Sequence, residues 1–193
     1  AGSGDDIITA SNYVDVLDGG AGNDKLYGNH GTDTLIGGTG NDYLEGGRHG
    51  DTYIFAKGHG HDVIYDNDAG YGGTDSLQFT DVKFEEAKFR KDGNNFIIYS
   101  GKEGDSVTIK DFFASVSYEI ENFVFADKTV TLEHFRQNGL IFDGTEANDT
   151  ITTWNNKSIV YAGAGDDTVN ASMYVDVLDG GAGNDKLYGK DGN

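Results

Sequence analysis

A nine-residue period runs through both ends of this chain and leaves few folds open to it. Aligned on aspartate, residues 1–9 read AGSGDDIIT, 10–18 ASNYVDVLD, 19–27 GGAGNDKLY, 28–36 GNHGTDTLI, 37–45 GGTGNDYLE and 46–54 GGRHGDTYI. An out-of-step unit, KGHGHDVIY (57–65), follows Phe55 and Ala56. A second array reads GTEANDTIT (144–152), TWNNKSIVY (153–161), AGAGDDTVN (162–170), ASMYVDVLD (171–179) and GGAGNDKLY (180–188), and GKDGN opens another unit. Position six holds Asp6, Asp15, Asp24, Asp33, Asp42, Asp51 and Asp62, then Asp149, Asp167, Asp176 and Asp185, with Ser158 as the gap. Two residues later comes an apolar residue or tyrosine. Glycines at positions one, two and four allow positive φ and close backbone approach. Each unit is therefore a turn followed by a three-residue strand with one inward side chain. Such a strand cannot stand alone, but stacked copies bury the Ile/Leu/Val column as one core.

If two units make one coil, aspartates 18 residues apart stack in columns, Asp6 with Asp24 and Asp15 with Asp33 among them. Bare carboxylates near 5 Å repel by on the order of 1 kcal/mol per pair in water, and by more where water is excluded. The chain carries 33 acids against 14 Lys and Arg, a net charge of −19, so cations are the expected partner. The same balance, with no basic run, excludes a nucleic-acid binder. Hydrophobic residues at 36% and aromatics at 12% exclude ordinary acidic disorder. No apolar run is long enough for a spanning helix, and without cysteine no disulfide or thiolate site exists. Turns that offer only oxygen ligands suit a hard ion, and a flexible loop of carbonyls and carboxylates suits Ca2+ better than octahedral Mg2+.

The units GGAGNDKLY and GGTGNDYLE resemble the RTX (repeats-in-toxin) nonapeptide G-G-x-G-x-D-x-U-x, a haemolysin-type calcium-binding pattern. The resemblance covers 1–65 and 144–193. It implies an all-β chain of right-handed parallel β-roll arrays, with Ca2+ as cofactor. It also implies six-oxygen sites, each joining carbonyls at positions two and four and the Asp of one unit to carbonyls at positions one and three and the Asp of the unit two further on. Transferred to this chain, Gly20, Gly22 and Asp24 pair with Gly37, Thr39 and Asp42. Asn29, Gly31 and Asp33 pair with Gly46, Arg48 and Asp51. Gly2, Gly4 and Asp6 pair with Gly19, Ala21 and Asp24, and Ser11, Tyr13 and Asp15 with Gly28, His30 and Asp33. In the second array Gly163, Gly165 and Asp167 pair with Gly180, Ala182 and Asp185, and Thr145, Ala147 and Asp149 with Ala162, Ala164 and Asp167. Four departures stand out: ASNYVDVLD lacks all three glycines, His49 replaces one, Asp62 lies out of step with Asp42, and Asp176 has no later partner in this sequence. About six ions would bring −19 to about −7.

Residues 66–143 carry no nonapeptide and read as strands over 75–79, 82–90, 95–100, 105–113, 118–126 and 129–135. KDGNN (91–95) is a hairpin turn, KDFFAS is expected to start a short helix, and TLEHFRQNG a second one stopped by Gly139. The order GGTDSLQF, FRKDGNNFIIY, GDSVTIKDFF, YEIENFVFADKTV resembles the region beside haemolysin-type repeats in RTX exoproteins. A capping role follows: a solenoid end exposes core and sheet edge, and Phe79, Phe84, Phe89, Phe96, Phe112, Phe113, Phe123 and Phe125 would cover it. His59 and His61 sit at variable turn positions and are expected to be solvated.

Three segments are thus expected: a roll over 1–65, a β-rich capping insert over 66–143 and a second roll over 144–193. Residues 162–193 repeat 1–32 with 24 of 32 identical, and the chain starts and stops inside the pattern without a signal peptide. It therefore reads as a monomeric, non-enzymatic piece of a larger protein with a repeating block. The resemblance implies type I secretion, an extracellular location, and a toxin, an adhesin or an exoprotein of the iron-regulated FrpC-like kind. In the alternative reading the insert of an adhesin binds glycan, ice or a protein on a host surface.

Overall fold

The computed structural model describes residues 1–68 and 71–192; Asn193, the end of the unfinished unit, and Ala69 and Gly70 in the insert lie outside that range. The chain divides into two compact units, Ala1–Ala87 with Asn94–Leu132, and Lys88–Gly93 with Glu133–Asn193.

In the first unit alternate nonapeptides feed two parallel sheets. Gly2–Ser3, Val16–Ala21, Thr34–Thr39, Thr52–Phe55 and Ser76–Phe79 stack in one; Ile7–Thr9, Lys25–Tyr27, Tyr43–Glu45 and His61–Ile64 stack in the other. The register follows from the period: Ile8 lies beside Leu26 and Leu26 beside Leu44, while Leu17 lies beside Leu35 and Leu35 beside Tyr53. Because strand side chains alternate, each short strand sends one residue inward, and these columns form the core. Leu26, Leu35, Leu44, Tyr53, Ile64 and Leu77 are all buried. Phe55 and Ala56 slip the register by two, which puts Tyr43 opposite Val63 without breaking the sheet.

The insert continues both sheets before closing them. Ser106–Ile109 adds to His61–Ile64 in parallel, and Asn95–Tyr99 then pairs with it antiparallel. Asn122–Val124 adds to Ser76–Phe79 in parallel and is closed by antiparallel Thr129–Thr131. The reversal of direction ends each parallel stack. Phenylalanines fill the space behind it: Phe79 stacks on Phe125 at 4.9 Å, and Phe96 packs against Phe112 at 5.0 Å and Phe123 at 5.9 Å.

Two local expectations give way. Over KDFFAS the chain turns instead of forming a helix, since Asp111 adopts φ 58°, outside the right-handed helical range. The expected strand over 82–90 is interrupted by a 3-10 turn at Phe84–Glu86, where Glu86 accepts the Lys83 N–H at 2.9 Å. The helix Leu132–Asn138 does form, and Gly139 at φ 94° ends it by donating its N–H to Phe135 O.

The second unit repeats the stacked architecture. Leu140–Thr145, Ser158–Gly163 and Val177–Asp179 form one parallel sheet, and Thr150–Thr152, Thr168–Asn170 and Lys186–Tyr188 the other. Phe89 packs on Phe135 at 5.6 Å beside this roll. Among the described residues no helix is long and apolar enough to cross a membrane.

Candidate metal centre

The sixth-position aspartates form hydrogen-bonded ladders. In each, Oδ1 accepts the backbone N–H of the aspartate one coil earlier: Asp6 to Asp24 at 2.7 Å, Asp15 to Asp33, Asp24 to Asp42 and Asp33 to Asp51 at 2.8 Å. The second unit does the same, from Asp149 to Asp167 at 2.8 Å, Ser158 to Asp176 at 2.7 Å and Asp167 to Asp185 at 2.9 Å. Ser158 thus interrupts the carboxylates but keeps the rung.

The ladder uses one oxygen of each carboxylate. Asp24, Asp33, Asp42, Asp51, Asp62 and Asp167 are buried, and the Oδ2 of each has no hydrogen-bond partner. An unpaired buried carboxylate oxygen is too costly to be incidental. Those of Asp24 and Asp33 lie beside the same glycines as a backbone oxygen of the next coil. A side chain at Gly28 would meet Gly46 O at 2.5 Å and Asp33 Oδ2 at 2.6 Å; one at Gly19 would meet Gly37 O and Asp24 Oδ2. A Cβ at Gly38 or Gly40 would run into Gly20 O or Gly22 O, and one at Gly181 or Gly183 into Gly163 O or Gly165 O. Positive φ at Gly20, Gly22, Asn29, Gly31, Gly47 and His49 directs these carbonyls, and His49 adopts φ 76° in its glycine's place. The turn therefore sets buried carboxylate oxygens that lack a hydrogen-bond donor among backbone carbonyls, a donor set that fits a hard divalent cation.

Burial sets the electrostatics. It pushes the carboxyls of Asp51 and Asp62 up to about 8 against the lowering effect of the accepted N–H, and the adjoining carboxylates add to the rise. Asp33 and Asp42 are raised for the same first reason. Repulsion between column members is what a bound cation would cancel.

Three predicted turns are built differently. At Asp15, Oδ2 accepts both the Ser11 N–H at 2.9 Å and the Ser11 hydroxyl at 2.6 Å. Asp149 is held in the same way by Thr145, and Asp176 by Ser172. Here a hydroxyl takes the place that the other turns leave open. Elsewhere Asp62 joins the column despite its spacing, accepting the Asp42 N–H at 3.0 Å. The Arg48 guanidinium lies 3.6 Å above the Tyr71 ring, leaving its carbonyl to accept the Gly31 N–H.

Sequence reasoning missed the continuation of the other column. Asp51 donates its N–H to Asp75 Oδ1 at 2.7 Å, and Asp75 donates its own to Glu121 Oε2 at 2.7 Å. Asp66 was missed too. Burial raises Asp75 to about 7 and Asp66 to about 9. The available signal was an aspartate just ahead of a strand, GGTDSLQF, at a spacing the period does not contain. His59 is half-buried with its ring on Phe55 at 5.3 Å, not solvated as expected, and burial lowers its pKa.

The family model of the RTX calcium-binding nonapeptide repeat matches residues 1–35, 27–62, 141–169 and 161–193. That of the haemolysin-type calcium binding protein related domain matches 95–130. The iron-regulated protein FrpA of Neisseria meningitidis serogroup C is 37% identical over 117 residues, 58% of this chain, which spans 10% of that relative's length. Among solved structures, the AlgE6R3 subunit of the Azotobacter vinelandii mannuronan C5-epimerase is 26% identical with a TM-score of 0.46, covering 65% of this chain and 80% of that one. The extracellular lipase LipA of Serratia marcescens is 23% identical with a TM-score of 0.41, covering 89% of this chain and 28% of that one.

Proposed function

Since the chain belongs to the RTX calcium-binding nonapeptide-repeat family, we propose that it is a Ca2+-responsive folding module of a secreted protein. The single observation that carries this reading is the set of buried, unpartnered Oδ2 atoms at Asp24, Asp33, Asp42, Asp62 and Asp167. Bound Ca2+ would supply the positive charge and oxygen coordination that these carboxylates lack. The chain's own part is to hold the ladder and aim the carbonyls. Gly20, Gly22 and Asp24 with Gly37, Thr39 and Asp42 make the leading site. Beside it stand Asn29, Gly31 and Asp33 with Gly46, Arg48 and Asp51, and Gly163, Gly165 and Asp167 with Gly180, Ala182 and Asp185. Asp15, Asp149 and Asp176, closed by a hydroxyl, are assigned to turns that need no ion.

An ion that binds only the folded state drives folding by mass action. In the low free Ca2+ of a cell the carboxylate columns oppose the roll; in millimolar external Ca2+ they favour it. That suits export as an unfolded chain, as in type I secretion, and an extracellular place of action. The three segments then divide the work: 1–65 and 144–193 take up Ca2+, and 66–143 terminates the first roll. A toxin or adhesin as the parent fits this reading, and the module itself acts without catalysis, as a monomer. Far-ultraviolet circular dichroism tests it. Strand signal should appear on adding Ca2+ to the chelated chain and vanish on chelation. A native signal indifferent to chelator sinks the reading.

A further inference from the structure

Three carboxylates meet where the nine-residue pattern has run out. Asp51 belongs to the last in-step unit, whereas Asp66 and Asp75 lie beyond the residues that the repeat model matches. All three are buried, at 0%, 0% and 2% exposure. One oxygen from each lies within 4.8 Å of the other two. Three hydrogen bonds fix the arrangement: the Tyr53 hydroxyl donates to Asp66 Oδ1 at 2.7 Å while accepting the Gly46 N–H at 3.0 Å, and Asp75 Oδ1 accepts the Asp51 N–H. Once these bonds are made, Asp51 Oδ2 and Asp66 Oδ2 remain fully buried without a partner. Desolvated carboxyls this close are relieved by taking up protons or by a cation held between them.

We propose that Asp51, Asp66 and Asp75 form a further divalent-cation site outside the nonapeptide pattern, joining the last in-step turn to two residues of the insert. The ligand set is oxygen alone, which favours a hard ion over a transition metal. Ligand oxygens that all lie within 4.8 Å of one another are close enough for one Ca2+ to reach all three at its usual 2.3–2.6 Å. Ordinary turns of the roll offer two carboxylates; this one offers three, and ligand charge raises Ca2+ affinity. A cleft lined by Asp68, Asp75, Glu119 and Glu121 gives a negatively charged way in. The ion held here is thus the tightest of the roll. Only the identity of the ion as Ca2+ rests on the reading of the roll given above.

The test counts ions. Asp66→Asn and Asp75→Asn each keep the oxygen that accepts the Tyr53 hydroxyl or the Asp51 N–H, and lose only charge. Calorimetric titration of the chelated full chain with CaCl2 should show one ion fewer in each variant, with the tightest step weakened at least tenfold. An unchanged count and an unchanged tightest step overturn the site and leave the roll's other ions standing. A crystal of the unaltered chain grown with Tb3+ decides independently of variant folding. An anomalous peak bonded to Asp66 and Asp75 supports the site; peaks in the glycine turns with none here overturn it. Absence of any ion uptake by the unaltered chain refutes the calcium reading itself.

Discussion

An aspartate at the sixth position has two oxygens, and the ladder takes only one. What happens to the other separates the turns. Asp24 keeps Oδ2 buried and unpartnered, whereas Asp15 gives Oδ2 to the Ser11 backbone and hydroxyl. Asp24→Asn leaves the ladder acceptor in place and removes an ion ligand. In saturating Ca2+ it should cost about 1–3 kcal/mol in thermal or denaturant melts and lower the ion count. Ser11→Ala should cost only about 0.5–1.5 kcal/mol and leave the count untouched. Spacing alone did not reveal this difference, because ASNYVD carries its aspartate in step. The legible signal was chemical: a hydroxyl at position two, recurring as Thr145 and Ser172, can reach the carboxylate four residues on.

At the level of the turn and strand, backbone-to-backbone contact governs. Gly40 sits at φ 137°, and a Cβ there would run into Gly22 O of the neighbouring coil. Gly40→Ala should therefore destabilise the Ca2+-loaded roll by about 2 kcal/mol or more, whereas Gly2→Ala, whose Cβ meets nothing within 4 Å, should be near neutral. Comparative melts of the two variants check this. The parallel sheets were readable from the period because glycine turns and inward Leu recur in register. The slip at Phe55 and Ala56 left Asp62 named but out of step with Asp42, so its place in the column was not readable, and the absence of any nonapeptide around Asp75 hid the next rung of the other column. Both were recovered by strand pairing, Tyr43 with Val63 and Thr52 with Ser76, which depends on backbone hydrogen bonds that no local motif encodes.

For the whole chain, a net charge of −19 already pointed to cations; burial adds a pH dependence that composition does not contain. Asp75, Asp51, Asp62 and Asp66 have folded pKa values raised to about 7, 8, 8 and 9, above the ~3.9 of an unfolded aspartate. A raised carboxyl means that the ion-free fold takes up protons. Its stability is fully present below about pH 3.9 and is lost as pH climbs through 7 to 9. The chelated chain should accordingly gain strand signal on acidification from pH 9 to pH 5. With Ca2+ saturating, the trend should reverse, since protons compete with the ion for the same oxygens. Melting curves across pH, with chelator and with Ca2+, separate the two.

The ladder also has a direction. Every rung is donated by one coil and accepted by the next, from Asp6 to Asp24 and onward to Asp62. A chain pulled from its first residue would meet these rungs one after another, never all at once in shear. Each coil of 18 residues would release about 60 Å of contour length as it peels away. Under tension such a roll yields as a series of small steps, a tether that lengthens by instalments before it lets go.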